Sequence, residues 1–138
     1  MRYSYLAIIA LLGALAGWLI LLPVSARTHV VITDAWMNET TGQRAVLNVR
    51  IANTGRYADR LSRVSTPLAE KVTIVDQGGR EARSLPIVAD SEWLIGSGAP
   101  RIVLVGLTKH LTAGDRFHFL FVFETAGKIG VDVVVRKE

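Results

Sequence analysis

Imidazole, thioether and carboxylate are the groups through which this sequence could do chemistry, and the first two are scarce. Its histidines are His29, His110 and His118, its only methionine after Met1 is Met37, and cysteine is absent. A soft metal ion needs such donors close together. None of the histidines has a second ligand at i+2 or i+4, so their spacing makes no metal motif and each reads as a surface or edge histidine. His29, Met37, His110 and His118 are therefore only weak alternative donors. Without cysteine there is no disulfide framework, no thiolate metal site and no cysteine nucleophile. Asp34 and Asp115 read as strand-end or turn carboxylates, and Asp59-Arg60 as a local structural contact after a turn. Acid–base catalysis would need two carboxylates brought together in space, which spacing alone does not provide. There is no Gly-rich phosphate loop, no Gly-x-Ser-x-Gly and no His-Glu-x-x-His. No catalytic residue is assigned, and an enzyme is not expected.

The elements that would position these groups are strands. Ala45, Leu47, Val49 and Ile51 alternate with Asn48 and Arg50. Phe117, Phe119, Phe121 and Phe123 form one face of a second strand, opposite Arg116, His118 and Glu124. Ile129, Val131, Val133 and Val135 repeat the pattern against Asp132 and Arg136. Shorter candidates are Val30–Trp36, Arg60–Val64, Lys71–Val75, Glu92–Ile95 and Ile102–Val105. Turn residues separate them at Asn53–Gly55, Gln77–Gly79, Gly96–Pro100, Ala113–Asp115 and Ala126-Gly127. Short strands at this spacing, with no long helical pattern between them, predict an all-β antiparallel sandwich or barrel. The phenylalanine row is assigned to its core, each buried ring contributing about 1.5–3 kcal/mol.

The first segment differs from the rest. No charged residue occurs from Tyr3 to Ala26, and Leu6 to Leu22 is almost continuously apolar. About twenty such residues span a bilayer as a helix. The segment also has the form of a signal peptide: Arg2 precedes it, and Val24 and Ala26 stand at −3 and −1 of a cleavage site before Arg27. Residues 1–26 are thus a signal peptide or a membrane anchor, with residues 6–22 contacting the membrane if uncleaved. Either way Arg2 stays inside and the rest is exported, so residues 27–138 are expected to form one domain in the periplasm or otherwise outside the cytoplasm. That part holds fifteen of the sixteen basic residues and all twelve acidic ones, a net +3. The charges are scattered singly, which gives no footprint for nucleic acid.

Short motifs follow one another in an order that resembles the bacterial periplasmic copper chaperone family PCu(A)C. They are Ile32–Trp36, Ala52-Asn53-Thr54-Gly55, Ala58-Asp59-Arg60-Leu61, Ser65–Ala69 with Lys71–Ile74, Arg101–Leu107, Leu111–Asp115 and Phe123–Gly127. Together they extend over about Ile32 to Val135. The resemblance implies a cupredoxin-like, Greek-key β-sandwich after the N-terminal apolar helix. It also implies Cu(I) carriage to the oxidase, and a partner among oxidase-assembly or copper-handling proteins.

The family's ligand pattern of two histidines and two methionines is missing. The position of its first histidine is Val75. Its His-x-Met pair falls on Arg101 and Val103, and no methionine follows the Gln77–Gly79 turn. Valine has no lone pair to donate, and arginine stays protonated and accepts nothing. The expectation is a family member without the family copper site, with no cofactor and with Cu(I) only at an atypical site. The alternative is a non-metal interaction or assembly module on the same sandwich, with Val75, Arg101 and Val103 as contact residues.

Overall fold

The computed structural model describes residues 29–137. The apolar N-terminal segment, and the helix expected there, lie outside the described residues. Ten strands follow: β1 (Val30–Asn38), β2 (Arg44–Asn53), β3 (Asp59–Ser65), β4 (Ala69–Val75), β5 (Glu81–Ala82), β6 (Leu85–Ile87), β7 (Ser91–Ile95), β8 (Arg101–Leu107), β9 (Arg116–Phe123) and β10 (Gly127–Arg136). No helix occurs among the described residues, so none there is long and apolar enough to cross a membrane.

The hydrogen-bonded order is β5-β4-β8-β2-β1-β10-β9-β3-β6, with β7 paired to β2. Sheet neighbours are more often distant than adjacent in sequence, as crossover connections require. The sheet curls on itself until β3 and β4, consecutive in the chain, flank the open seam. The result is a nearly closed barrel-like sandwich. Long β2 organises one flank: Arg44–Leu47 pair with β8, and Val49–Asn53 pair with β7.

Burial follows the period-two pattern. On β2, Ala45, Leu47, Val49 and Ile51 are buried and the residues between them are not. Phe119, Phe121 and Phe123 are buried, whereas Phe117 is half-buried with the Lys109 ammonium 5.2 Å from its ring centre. Ile102 and Leu104 of β8 and Leu61 and Val64 of β3 complete the core.

Three features differ from the sequence reading. Two short strands, β5 and β6, went unpredicted. One has two residues and the other contains Pro86, so neither is long enough to show an alternation. The β1–β10 ladder is parallel, Trp36 opposite Val134 and Asn38 opposite Arg136. It closes the first strand against the last, a pairing between chain ends that local pattern cannot encode. Asp34 ends no strand. It sits inside β1 at φ 51° where the register shifts between Thr33 and Trp36, a bulge that breaks the alternation there.

Two buried polar residues fix the end of the sandwich at which β1 begins. Asp59 is 8% exposed. Its Oδ1 accepts the Arg60 and Thr125 amides at 2.7 and 2.9 Å, and its Oδ2 accepts the Ala126 amide at 2.8 Å. The local contact expected of Asp59-Arg60 therefore extends to the β9–β10 turn, where Gly127 takes φ 80°. The Asn53 side chain donates to the Tyr57 and Ile87 carbonyls at 2.9 and 3.4 Å and accepts the Gly55 amide at 3.0 Å.

Residues 27–138 are expected to fold alone, with a strand-dominated circular dichroism spectrum. In urea unfolding, Asp59→Ala should lower stability by about 3 kcal/mol, since hydrogen bonds to a charged group contribute about 1.5–3 kcal/mol each and are not additive. Asp132→Asn, which touches only an exposed histidine, should change it by less than about 0.5 kcal/mol.

Candidate functional site

Strand register decides whether the three positions singled out from the sequence form a site. Val75 of β4 lies directly opposite Arg101 of β8, and Thr73 lies opposite Val103. On the other edge of β8, Val103 pairs with Val46 of β2. On the other edge of β4, Val75 pairs with Glu81 of β5. Two neighbouring rows result, Glu81–Val75–Arg101 and Thr73–Val103–Val46. Both are on the face opposite the core residues Ile74, Ile102 and Leu47. Directly opposed residues have Cβ atoms about 4.5–5.5 Å apart, and positions i and i+2 of one strand are about 7 Å apart. Val75, Arg101 and Val103 are therefore mutual neighbours, although 25 residues of chain separate the first two. The segment after the Gln77–Gly79 turn comes back beside them through Glu81. Asp76 Oδ1 shapes that turn by accepting the Gly78 and Arg80 amides at 2.9 and 3.0 Å.

Val75 is 8% exposed, and Arg101 and Val103 are half-buried. Arg101 and Val103 line an open groove of about 550 Å³ that runs past Trp36, Arg44, Val46 and Asn48. The Arg136 guanidinium stands 4.8 Å from the Trp36 ring centre. Neither Arg44 nor Arg101 has an ion-pair partner among the described residues. Beyond Val75, Glu81 pairs with Lys71 at 3.4 Å, both side chains well exposed. Such a pair contributes little to stability.

The donors at this place do not suit Cu(I). Arg101 is a fixed cation, Val75 and Val103 have no lone pairs, and the donors on the same two rows, Glu81 carboxylate and Thr73 hydroxyl, are hard oxygens. The remaining imidazole and thioether groups do not gather elsewhere. Met37 is fully buried in the core. His29 precedes β1 and accepts the Thr54 amide through its carbonyl at 2.9 Å. His110 is exposed in the β8–β9 connection. His118 Nδ1 lies 3.2 Å from Asp132 Oδ1 across the β9–β10 ladder, both exposed. No three residues among His, Cys, Asp and Glu converge as a metal cage among the described residues.

Sequence reasoning did not single out Trp36, Arg44, Val46 or Glu81 as neighbours of these positions. Each becomes one through a ladder between distant strands, for which the only sequence signal is alternation.

Comparison with known proteins agrees with the fold. Residues 30–135 match the family model "Putative lipoprotein LpqE-like". No curated protein sequence matches the chain. Among solved structures, the copper-bound PCuAC domain from PmoF2 is 22% identical with a TM-score of 0.72, over 79% of this chain and 93% of that domain. The apo PCuAC domain from PmoF1 is 21% identical with a TM-score of 0.74, over 79% and 94%. Cu(I)-DR1885 from Deinococcus radiodurans is 18% identical with a TM-score of 0.65, over 78% and 79%. At these identities the likeness is one of fold: the sandwich is that of PCuAC domains. The match over residues 30–135 assigns the family, and the chain belongs to the LpqE-like family.

Proposed function

We propose that this chain is an extracytoplasmic PCuAC-type protein that has kept the copper-chaperone sandwich without the family's copper ligands. The observation that carries the proposal is the register around Val75. The positions that the resemblance assigns to two histidines and a methionine are neighbours on one face, and they hold Val75, Arg101 and Val103. Losing one donor leaves room for a water or a neighbour to replace it. Losing the set, with a cation inserted, leaves nothing soft for a metal that depends on soft donors.

Residues 1–26 direct export and residues 27–138 form the working domain. The chain has no cysteine through which to carry an acyl group, so the apolar segment itself is the means of membrane attachment if it is retained. The protein acts by contact rather than by catalysis, on an oxidase-assembly or copper-handling protein.

A non-metal docking role is favoured by one further observation. Arg101 and Val103 line a groove with Trp36 and Val46, and arginine and tryptophan beside aliphatic side chains are the residue types that dominate interface energies.

Competition with a strong Cu(I) chelator under anaerobic conditions should strip all copper from the purified domain. Stoichiometric retention would refute the loss of the site, and single substitutions of His29, Met37, His110 and His118 would then locate the donors. Building the site back tests its placement. The variant Val75→His, Arg101→His, Val103→Met and Glu81→Met should gain one chelator-resistant Cu(I), because all four positions lie on the two adjacent rows. A folded variant that binds none would show the site to be misplaced. Cell fractionation should find the protein in the membrane or outside the cytoplasm, and N-terminal sequencing should read Met1 for an anchor or Arg27 for a cleaved signal. Intact Met1 on soluble cytoplasmic protein would contradict export.

A further inference from the structure

Exposed apolar side chains are distributed unevenly along the sandwich. The large ones among the described residues are Val31, Tyr57, Val88 and Leu94, at 51, 69, 52 and 70% exposure. All four lie toward the end at which β1 begins. Val31 is the second residue of β1 and pairs with Ala52, next to the last residue of β2. Tyr57 is in the β2–β3 loop and Val88 directly follows β6. The backbones beside them are held together, since the Asn53 side chain donates to both the Tyr57 and the Ile87 carbonyls. Leu94 pairs with Arg50, three residues in from the Asn53–Ser91 pair, or about 10 Å along the strand. The opposite end, made by residues 39–43 and 108–115, has no large exposed apolar side chain.

The chain enters the domain at this same apolar end. His29 precedes β1, and its carbonyl accepts the Thr54 amide. Between Leu22, the last residue of the apolar run, and His29 stand residues 23–28. Six residues span at most about 20 Å when fully extended. The headgroup layer occupies about 5–7 Å of that distance on each side of a bilayer. Beyond the headgroups at most about 13–15 Å of that length remains, so the end carrying the tether is the one that can rest against the membrane.

The geometry points to this end as a membrane-contacting face, with Tyr57 and Val88 seated in the headgroup layer of the bilayer. The inference rests on retention of residues 6–22 as an anchor. Tyrosine suits that layer because its ring is apolar and its hydroxyl stays wet. Exposed Arg56, next to Tyr57 and without an ion-pair partner among the described residues, adds a cation suited to lipid phosphate.

The absence of cysteine makes the test clean, because a single introduced thiol takes the only label. Tyr57→Cys, Val88→Cys and, at the far end, Thr41→Cys are each made in the full-length chain and labelled with an environment-sensitive fluorophore. The chains are reconstituted in phosphatidylcholine–phosphatidylglycerol vesicles containing brominated lipid. Labels at 57 and 88 should be quenched about twofold or more relative to the label at 41, as expected for groups at the interface. Equal quenching at all three, in chains that mass spectrometry shows to be intact and vesicle-bound, overturns the membrane-facing end while leaving the anchor standing. Energy transfer between labels at 57 on two chains, without lipid quenching, makes the end a self-association face and also overturns it. Recovery from cells of only a chain beginning at Arg27 removes the anchor itself, and the inference with it.

Discussion

The Asp59 carboxylate is the constraint on which the arrangement of this sandwich depends. A carboxylate this deeply buried is tolerable only if its oxygens are hydrogen-bonded, and three backbone amides supply those bonds. Two of the amides belong to Thr125 and Ala126, so the start of β3 and the β9–β10 turn are held to a single distance. That contact bridges strands about sixty-five residues apart in the chain. It sets the turn from which β9 and β10 pair, from Phe123 opposite Gly127 to Arg116 opposite Val134. The register in turn puts Phe119 and Phe121 into the core beside Val133 and Val135. Asn53 does the same for the neighbouring loops, and no other polar residue among the described ones is buried. Apolar burial drives the collapse without direction, whereas these two side chains choose which ends meet.

This explains how much could be read from the sequence. The alternations of β2, β9 and β10 are plain because each strand runs eight or more residues with one face consistently less exposed than the other. The resemblance was carried by Ala52–Gly55, Ala58–Leu61 and Phe123–Gly127, and these contain Asn53, Asp59 and the amides they bind. The legible motifs were therefore instructions for the fold. What escaped was long-range pairing: the parallel ladder of β1 with β10, the short β5 and β6, and the bulge at Asp34. The placement of Val75, Arg101 and Val103 came from the resemblance alone. Their adjacency is a property of the β4–β8 register, which local pattern does not contain.

Fold and outer-face side-chain chemistry are separable here for a physical reason. The residues that determine the sandwich are the core face of each strand and the clamps at one end. Val75, Arg101 and Val103 lie on the outer face of the β2-β8-β4-β5 flank, where the ladder bonds are made by backbone and do not depend on side-chain identity. Valine is well suited to a half-buried pleated surface, and arginine can lay its stem along the sheet while its charge stays in water. The chemistry of the side chains at these positions can therefore change at little cost to stability. A fold shared with copper-bound PCuAC domains from other proteins consequently carries no copper chemistry by itself.

The placement of the outer face relative to the end at which β1 begins then limits how any partner approaches. Arg101 follows the segment that leads from β7 to β8, and Asn48, midway along β2, lines the groove beside it. The groove through Trp36 and Val103 thus opens on the flank of the sandwich, about five residues along β2 from Asn53, or about 17 Å. With the Asn53 end turned toward a bilayer, this flank would stand clear of the headgroups and parallel to the membrane normal. A partner embedded in that bilayer could present an exposed segment at that height, and a soluble partner could approach from the side.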